Sequence, residues 1–271
     1  MKTQRTILSA LAIVICLLTN ANRSAGQARA NYQPMTEAQR SAFVSEQARR
    51  VARQMSGRDY EFTPAFEATI RKAVDAYVKR IGNNGGEQFG SGDARLIFQR
   101  GQTVAPTLIR IFKARNVSPL IGLYIPLVES EYINLQSPNS VGAIGMFQFL
   151  PPTGARYGLT TADLLDVEKS ADAAARYIDG GLKKFRDDPM KEALALLAYN
   201  RGTSNVERDV ADLVNENTRA CSICALTDQR DKMDSNFQNE NVYYVPRFFA
   251  AAIIGENPSA FGLQMEPLSG L

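Results

Sequence analysis

The chain of 271 residues has no histidine and no tryptophan, and it has only three cysteines. Without histidine there is no Ser-His or Cys-His nucleophile pair and no imidazole for a zinc site, so neither a metal nor a cofactor is expected. Catalysis, if any, has to run on carboxylates, tyrosine hydroxyls and amides. A strong excess of one charge is missing too. The 31 basic and 28 acidic side chains leave a net +3, too mild to point to nucleic acid. Strand signals are nearly absent.

Long apolar runs are confined to the start of the chain. Lys2 and Arg5 precede an apolar stretch from Ile7 to Leu18, and small residues follow at Ala21, Ser24-Ala25-Gly26 and Ala28-Arg29-Ala30. That stretch has the length of a signal-peptide core and is short for a membrane span. Residues 1–30 are therefore read as signal peptide and leader of an exported, periplasmic protein, touching a membrane only if this segment is uncleaved. Cys16 lies in the run without the small residues expected before a lipid-modified cysteine. Cys221 and Cys224 remain. An oxidising compartment favours a local disulfide between them, with a free thiol pair or a redox role as the alternatives.

The rest of the chain reads as helices. Thr36 is placed to cap a helix carrying Phe43, Val44, Ala48, Val51 and Met55 at helical spacing, broken by Ser56-Gly57. Further helices are expected over about 64–81, 93–114, 118–132, 170–185, 189–200, part of 203–217 and 241–254, the last interrupted at Pro246. Ser118-Pro119 suits a helix start, and Pro126 should kink that helix. The polar segment 218–237, with both remaining cysteines, reads as a loop or lid. The fold class is all-α, or helical with a minor hairpin. No Pro/Ser-rich linker separates the early helices from the later ones, so residues 31–115 should pack on the core as an N-terminal helical region. Residues 116–255 then form the main domain and 256–271 a tail.

One run carries the chemistry: Ile125-Pro126-Leu127-Val128-Glu129-Ser130-Glu131-Tyr132. It sets a carboxylate on an apolar segment, where desolvation raises its pKa. Such a carboxyl can hold a proton near neutrality and give it to a leaving oxygen. The stretch Gly142-Ala143-Ile144-Gly145-Met146-Phe147-Gln148 comes next, small enough for close backbone approach and ending in an amide. Glu131, two residues along, should point elsewhere and is read as solvated.

Five ordered segments give a resemblance. They are Pro119 to Ser130; Gly142-Ala143 through Gly145, Gln148, Pro151, Thr153-Gly154 and Tyr157-Gly158-Leu159; Asp166 to Tyr177; Ala198-Tyr199-Asn200-Arg201-Gly202; and Glu240 to Pro246. Over roughly residues 60–255 the chain resembles lytic transglycosylases of the lysozyme superfamily, family 1, membrane-bound-D type. Phe147 stands where that family usually has Trp or Met, and one residue is inserted between Glu129 and Gln148. The resemblance implies a lysozyme-like helical domain of the goose and SLT type. It also implies cleavage of the MurNAc-β-1,4-GlcNAc bond of peptidoglycan to 1,6-anhydro products. Glu129 is then the catalytic acid and base. Met146 and Phe147 are expected to line the saccharide cleft. Gln148, Tyr199, Asn200 and Tyr244 are expected to bind substrate, together with Ser137, or Ser140 if the insertion is counted differently. The implied partners are glycan strands, with cell-wall or secretion machinery behind them. Two other readings stand beside this one: a goose-type hydrolase using Glu131 or Asp166 to activate water, and a non-catalytic peptidoglycan-binding protein.

Overall fold

A computed structural model describes residues 31–271, which form one unit. The expected signal segment lies outside the described residues. Eleven α-helices and several short 3-10 turns make up the unit, and among the described residues the only β pairing is an isolated bridge between Ile144 and Phe149. None of these helices is long and apolar enough to cross a membrane.

Local chemistry sets most boundaries. Helix α1, Glu37–Ser56, opens on a capping box in which Thr36 and Gln39 satisfy each other's backbone N–H, and it closes on Gly57 in the left-handed conformation. Thr63 caps α2, Pro64–Val78, and Asp93 caps α3, Ala94–Ala114. Helix α4 spans Pro119–Ser130, but the Ser118 side chain makes no capping bond; Pro119 alone fits the first turn. Helices α5 (Pro151–Ala155), α6 (Val167–Lys184), α7 (Lys191–Arg201) and α8 (Thr203–Leu213) come after it, with Asp166 capping α6.

Two helices form the centre. Nearly all of α4 is buried, and so is every residue of α11, Tyr244–Glu256, except Arg247. Helices this apolar on all sides have to lie inside. They run antiparallel: Tyr244 meets Glu129 at one end, and Tyr124 meets Glu256 at the other. Gly255 permits the approach, since a Cβ there would stand 2.7 Å from the Tyr124 ring. Around this pair pack α1, α2, α3 and α7, so the N-terminal helices are part of the same body.

Several expectations need correction. Pro246 does not interrupt α11; it lies in the first turn, where backbone N–H groups have no intrahelical partner to lose. Segment 218–237 is not an open loop. It folds into α9 (Ser222–Asp228), α10 (Ser235–Asn239) and 3-10 turns. Ile223, Cys224 and Leu226 are buried, and α9 packs on α2, α7 and α8. Cys221 and Cys224 are joined by a disulfide, Cα atoms 5.2 Å apart, and the Cys224 sulfur accepts a hydrogen bond from the Thr63 N–H at 3.3 Å. This segment braces the body instead of hanging over it as a lid. Residues 256–271 are likewise no free tail: Leu268 is buried, and the Ala260 carbonyl accepts from the Tyr32 N–H at 2.8 Å.

Candidate active site

The antiparallel core pair brings the last turn of α4 against the first turn of α11. There the Tyr244 hydroxyl donates to Glu129 Oε1 at 2.7 Å. Burial pushes the Glu129 carboxyl up to about 7, against a downward pull from the Tyr244 hydrogen bond and the Arg247 charge. Glu129 is half-buried rather than fully enclosed, so one side of it opens to a ligand. Tyr244 itself is buried, and its hydroxyl is held far above its ordinary value by burial and then by the neighbouring Glu129 charge.

The end of α4 is strained in a directed way. Glu131 and Tyr132 both take the left-handed conformation, with φ of 52° and 60°. Side-chain-bearing residues pay for that geometry unless their surroundings over-determine it. Here they do. Arg80 grips the Glu131 carboxylate with two bonds of 2.6 and 3.0 Å, Arg100 donates to the Glu131 carbonyl at 2.9 Å, and the Tyr132 hydroxyl donates to the Leu123 carbonyl at 2.8 Å. Glu131 is therefore buried and ion-paired, not solvated as its sequence position suggested. The early helices supply the grip.

Residues 134–149 wrap the site from the other side. Ser130 ties them to α4, its hydroxyl bonding the Met146 carbonyl at 2.8 Å. Gly145 holds φ +80°, and a Cβ there would collide with the Leu164 carbonyl. Gln148 also sits at positive φ, 48°. Its amide N–H bonds the Gly145 carbonyl at 2.7 Å and its oxygen accepts from Asn139 at 3.1 Å, leaving one amide hydrogen uncommitted. Phe147 is wholly buried and Met146 nearly so, in contrast to the expected cleft-lining role. Their neighbours carry the exposed apolar surface instead: Val141 and Leu150 flank this stretch, and Tyr243 precedes Tyr244.

Tyr199 closes the back of the site. Its hydroxyl donates to the Phe147 carbonyl at 2.8 Å, and its titration is raised by burial first and by Glu129 next. Tyr244, not Tyr199, makes the bond to Glu129. Asn200 holds chain: its oxygen accepts from Asn241 at 2.7 Å and its amide reaches Glu240 at 3.4 Å. Ser137 and Ser140 are exposed, and neither makes a side-chain bond to Glu129. Arg201 escaped the sequence reading. It is buried, bonds Asp209, Asp234 and Asn241 at once, and stacks on Phe237. Through Asn241 it locks the Asn200 turn to the segment that delivers Tyr244. No sequence spacing signals such a hub, since its partners lie up to 40 positions away. Among the described residues no cluster of potential metal ligands occurs. A larger cavity of about 420 Å³ lies away from Glu129, between α6, α7 and α8. Within it Lys184 pairs with Glu207 at 2.5 Å, and Asp188 accepts from the Ser222 hydroxyl at 2.6 Å.

Residues 107–220 match the family model described as the Transglycosylase SLT domain. The match spans about two-fifths of the chain. That stretch holds Glu129, Gln148 and Tyr199, while Tyr244 lies beyond it. The fold class over the described residues is all-α, as expected. Among solved structures the chain is similar to an inactive mutant of lytic transglycosylase Slt from Pseudomonas aeruginosa, at 21% identity and a TM-score of 0.48. The likeness covers 77% of this chain and 32% of that one, so the chain spans about a third of that protein's length. No curated protein matches the chain at a significant level.

Proposed function

We propose that this chain is a lytic transglycosylase that cleaves the MurNAc-β-1,4-GlcNAc bond of peptidoglycan without water as the attacking group. The observation that carries the proposal is the Glu129 carboxyl, raised to about 7 and held by Tyr244 at 2.7 Å. A carboxyl with that affinity can donate and accept a proton at the same pH. In the first step it protonates the glycosidic oxygen, and the C1–O bond breaks with its electron pair leaving on that oxygen. The substrate's N-acetyl group stabilises the positive charge at C1. In the second step the 6-hydroxyl bonds to C1 and its proton passes to Glu129. A 1,6-anhydro ring results. This is a one-carboxylate variant of glycoside cleavage.

The surroundings of the other carboxylates favour this route over hydrolysis. Glu131 is consumed by Arg80, and Asp166 caps α6 by accepting from the Lys169 N–H at 3.0 Å. Neither is poised to activate water. Tyr244 orients Glu129, and Tyr199 holds the Phe147 carbonyl that shapes the site. The remaining amide hydrogen of Gln148 is available to a sugar acetamido group, and exposed Leu150 and Tyr243 offer apolar surface to sugar faces. Ser137, exposed in the segment that follows α4, is proposed to meet the same substrate. The expected export signal would place the enzyme in the periplasm, acting on glycan strands beside cell-wall or secretion machinery. Mass spectrometry of products from purified walls tests the reaction. Anhydro ends lack one water relative to reducing ends, and Glu129→Gln should abolish their release. Reducing ends as the sole product would overturn the transglycosylase reading.

A further inference from the structure

A cavity of about 270 Å³ opens between α2, Phe89, the last turn of α4 and Arg247 of α11. Tyr77, Arg80 and Phe89 precede the SLT-matched residues, and Arg247 lies after them. Leu127, Val128 and Glu131 complete its lining, so it adjoins the turn that carries Glu129.

Its polar groups are unequally satisfied. Tyr77 is nine-tenths buried, yet no hydrogen bond from its hydroxyl occurs within the described residues. Tyr77 lines the cavity together with Arg80, Glu131 and Arg247. That hydroxyl therefore has a free hydrogen to offer a ligand. Arg80 is neutralised by Glu131. Arg247 has no carboxylate within ion-pair distance among the described residues. It makes only long bonds to the carbonyls of Tyr243, at 3.3 Å, and Glu240, at 3.4 Å. The cavity therefore holds two guanidinium groups, one carboxylate and a spare hydroxyl. What completes it is an anion that also accepts a hydrogen bond, on a body small enough to rest against Phe89.

We propose that this cavity is a subsite for a carboxylate-bearing peptide branch of the glycan strand, with Arg247 pairing the carboxylate and the Tyr77 hydroxyl donating to it. The assignment rests on the transglycosylase reading, because peptide branches carry the carboxylates of such a strand. A phosphate monoester fits worse, because it would bring up to two charges to a site with one unpaired cation.

The test is binding of N-acetylmuramyl-L-alanyl-D-isoglutamine to the full chain carrying Glu129→Gln, by calorimetry. The comparison ligand is the same compound with its free carboxylate amidated. The free acid should bind about tenfold more tightly than the amide, the size of one charge-assisted hydrogen bond. Arg247→Gln should erase that ratio, and Tyr77→Phe should cut it by about threefold without lowering thermal stability. Tyr77→Phe removes only an unpartnered hydroxyl, so it keeps the test decisive even if the Arg247 variant folds poorly. Equal affinity for acid and amide overturns the subsite, as does a full ratio in both variants. Wild-type protein that releases no anhydro product counts against the transglycosylase reading alone, and the acid-to-amide ratio still decides the subsite.

Discussion

Replacing Glu129 by glutamine should abolish activity and at the same time stabilise the protein, increasingly so as pH rises from about 4.5 to about 7. The carboxyl has an ordinary value of 4.5 and is raised to about 7 in the fold, first by burial. A raised carboxyl disfavours the charged state of the folded protein. The stability it contributes is fully present below about pH 4.5 and is lost as pH rises through about 7. Each pH unit of displacement is worth about 1.4 kcal/mol, so the full loss is about 3 kcal/mol. Glutamine never ionises, fills the same volume and still offers an oxygen to Tyr244. The difference in stability between variant and wild type should therefore grow by about 3 kcal/mol between pH 4 and pH 8, in favour of glutamine. For a unit of this size that is about 5–10 °C in melting temperature. Subtracting the two proteins cancels every other titrating group. Thermal unfolding of both at the two pH values measures it. A difference that stays constant across that range, or a glutamine variant less stable at pH 8, would refute the burial argument and with it the proton-shuttle assignment.

The same geometry sets further outcomes. Tyr244→Phe removes the hydrogen bond that pulls the Glu129 carboxyl down, so the alkaline limb of kcat/KM should move up by about one pH unit while kcat falls; a limb that stays in place contradicts the contact. Arg201→Met leaves buried Asp209 without its cation and should cost about 3–5 kcal/mol in urea unfolding. Asp234→Asn, at a half-exposed partner, should cost under about 1 kcal/mol. Converting both Cys221 and Cys224 to serine should cost about 2 kcal/mol, the entropy of so short a loop, and leave kcat/KM unchanged because α9 braces the far side of the body.

The helices were legible where the signal is local. Thr36, Gln39 and Gly57 announce the ends of α1, and Asp93 and Pro119 announce two starts, because caps act on N–H groups within one turn. Segment 218–237 misled because its composition is polar while its few apolar residues, Ile223 and Leu226, are the ones that bury. The site divides the same way. Glu129 stood out through its apolar neighbours, and Gly142 to Gln148 through small residues. Phe147 misled because aromatic character says nothing about which side of a turn faces the core. Arg201, Arg247 and Tyr77 were invisible, since what matters about each is a partner, or the lack of one, far along the chain.

Sequence was enough for an all-helical chain whose chemistry rests on one carboxyl, because residue type, helical periodicity and capping are properties of neighbours. Tertiary structure alone decided that Tyr244 meets Glu129, that Arg80 takes Glu131 out of play, and that a cationic cavity opens beside the site. Those are distances between α2, α4 and α11. They are settled by how the buried faces of helices remote in sequence pack together, and no local pattern encodes that packing.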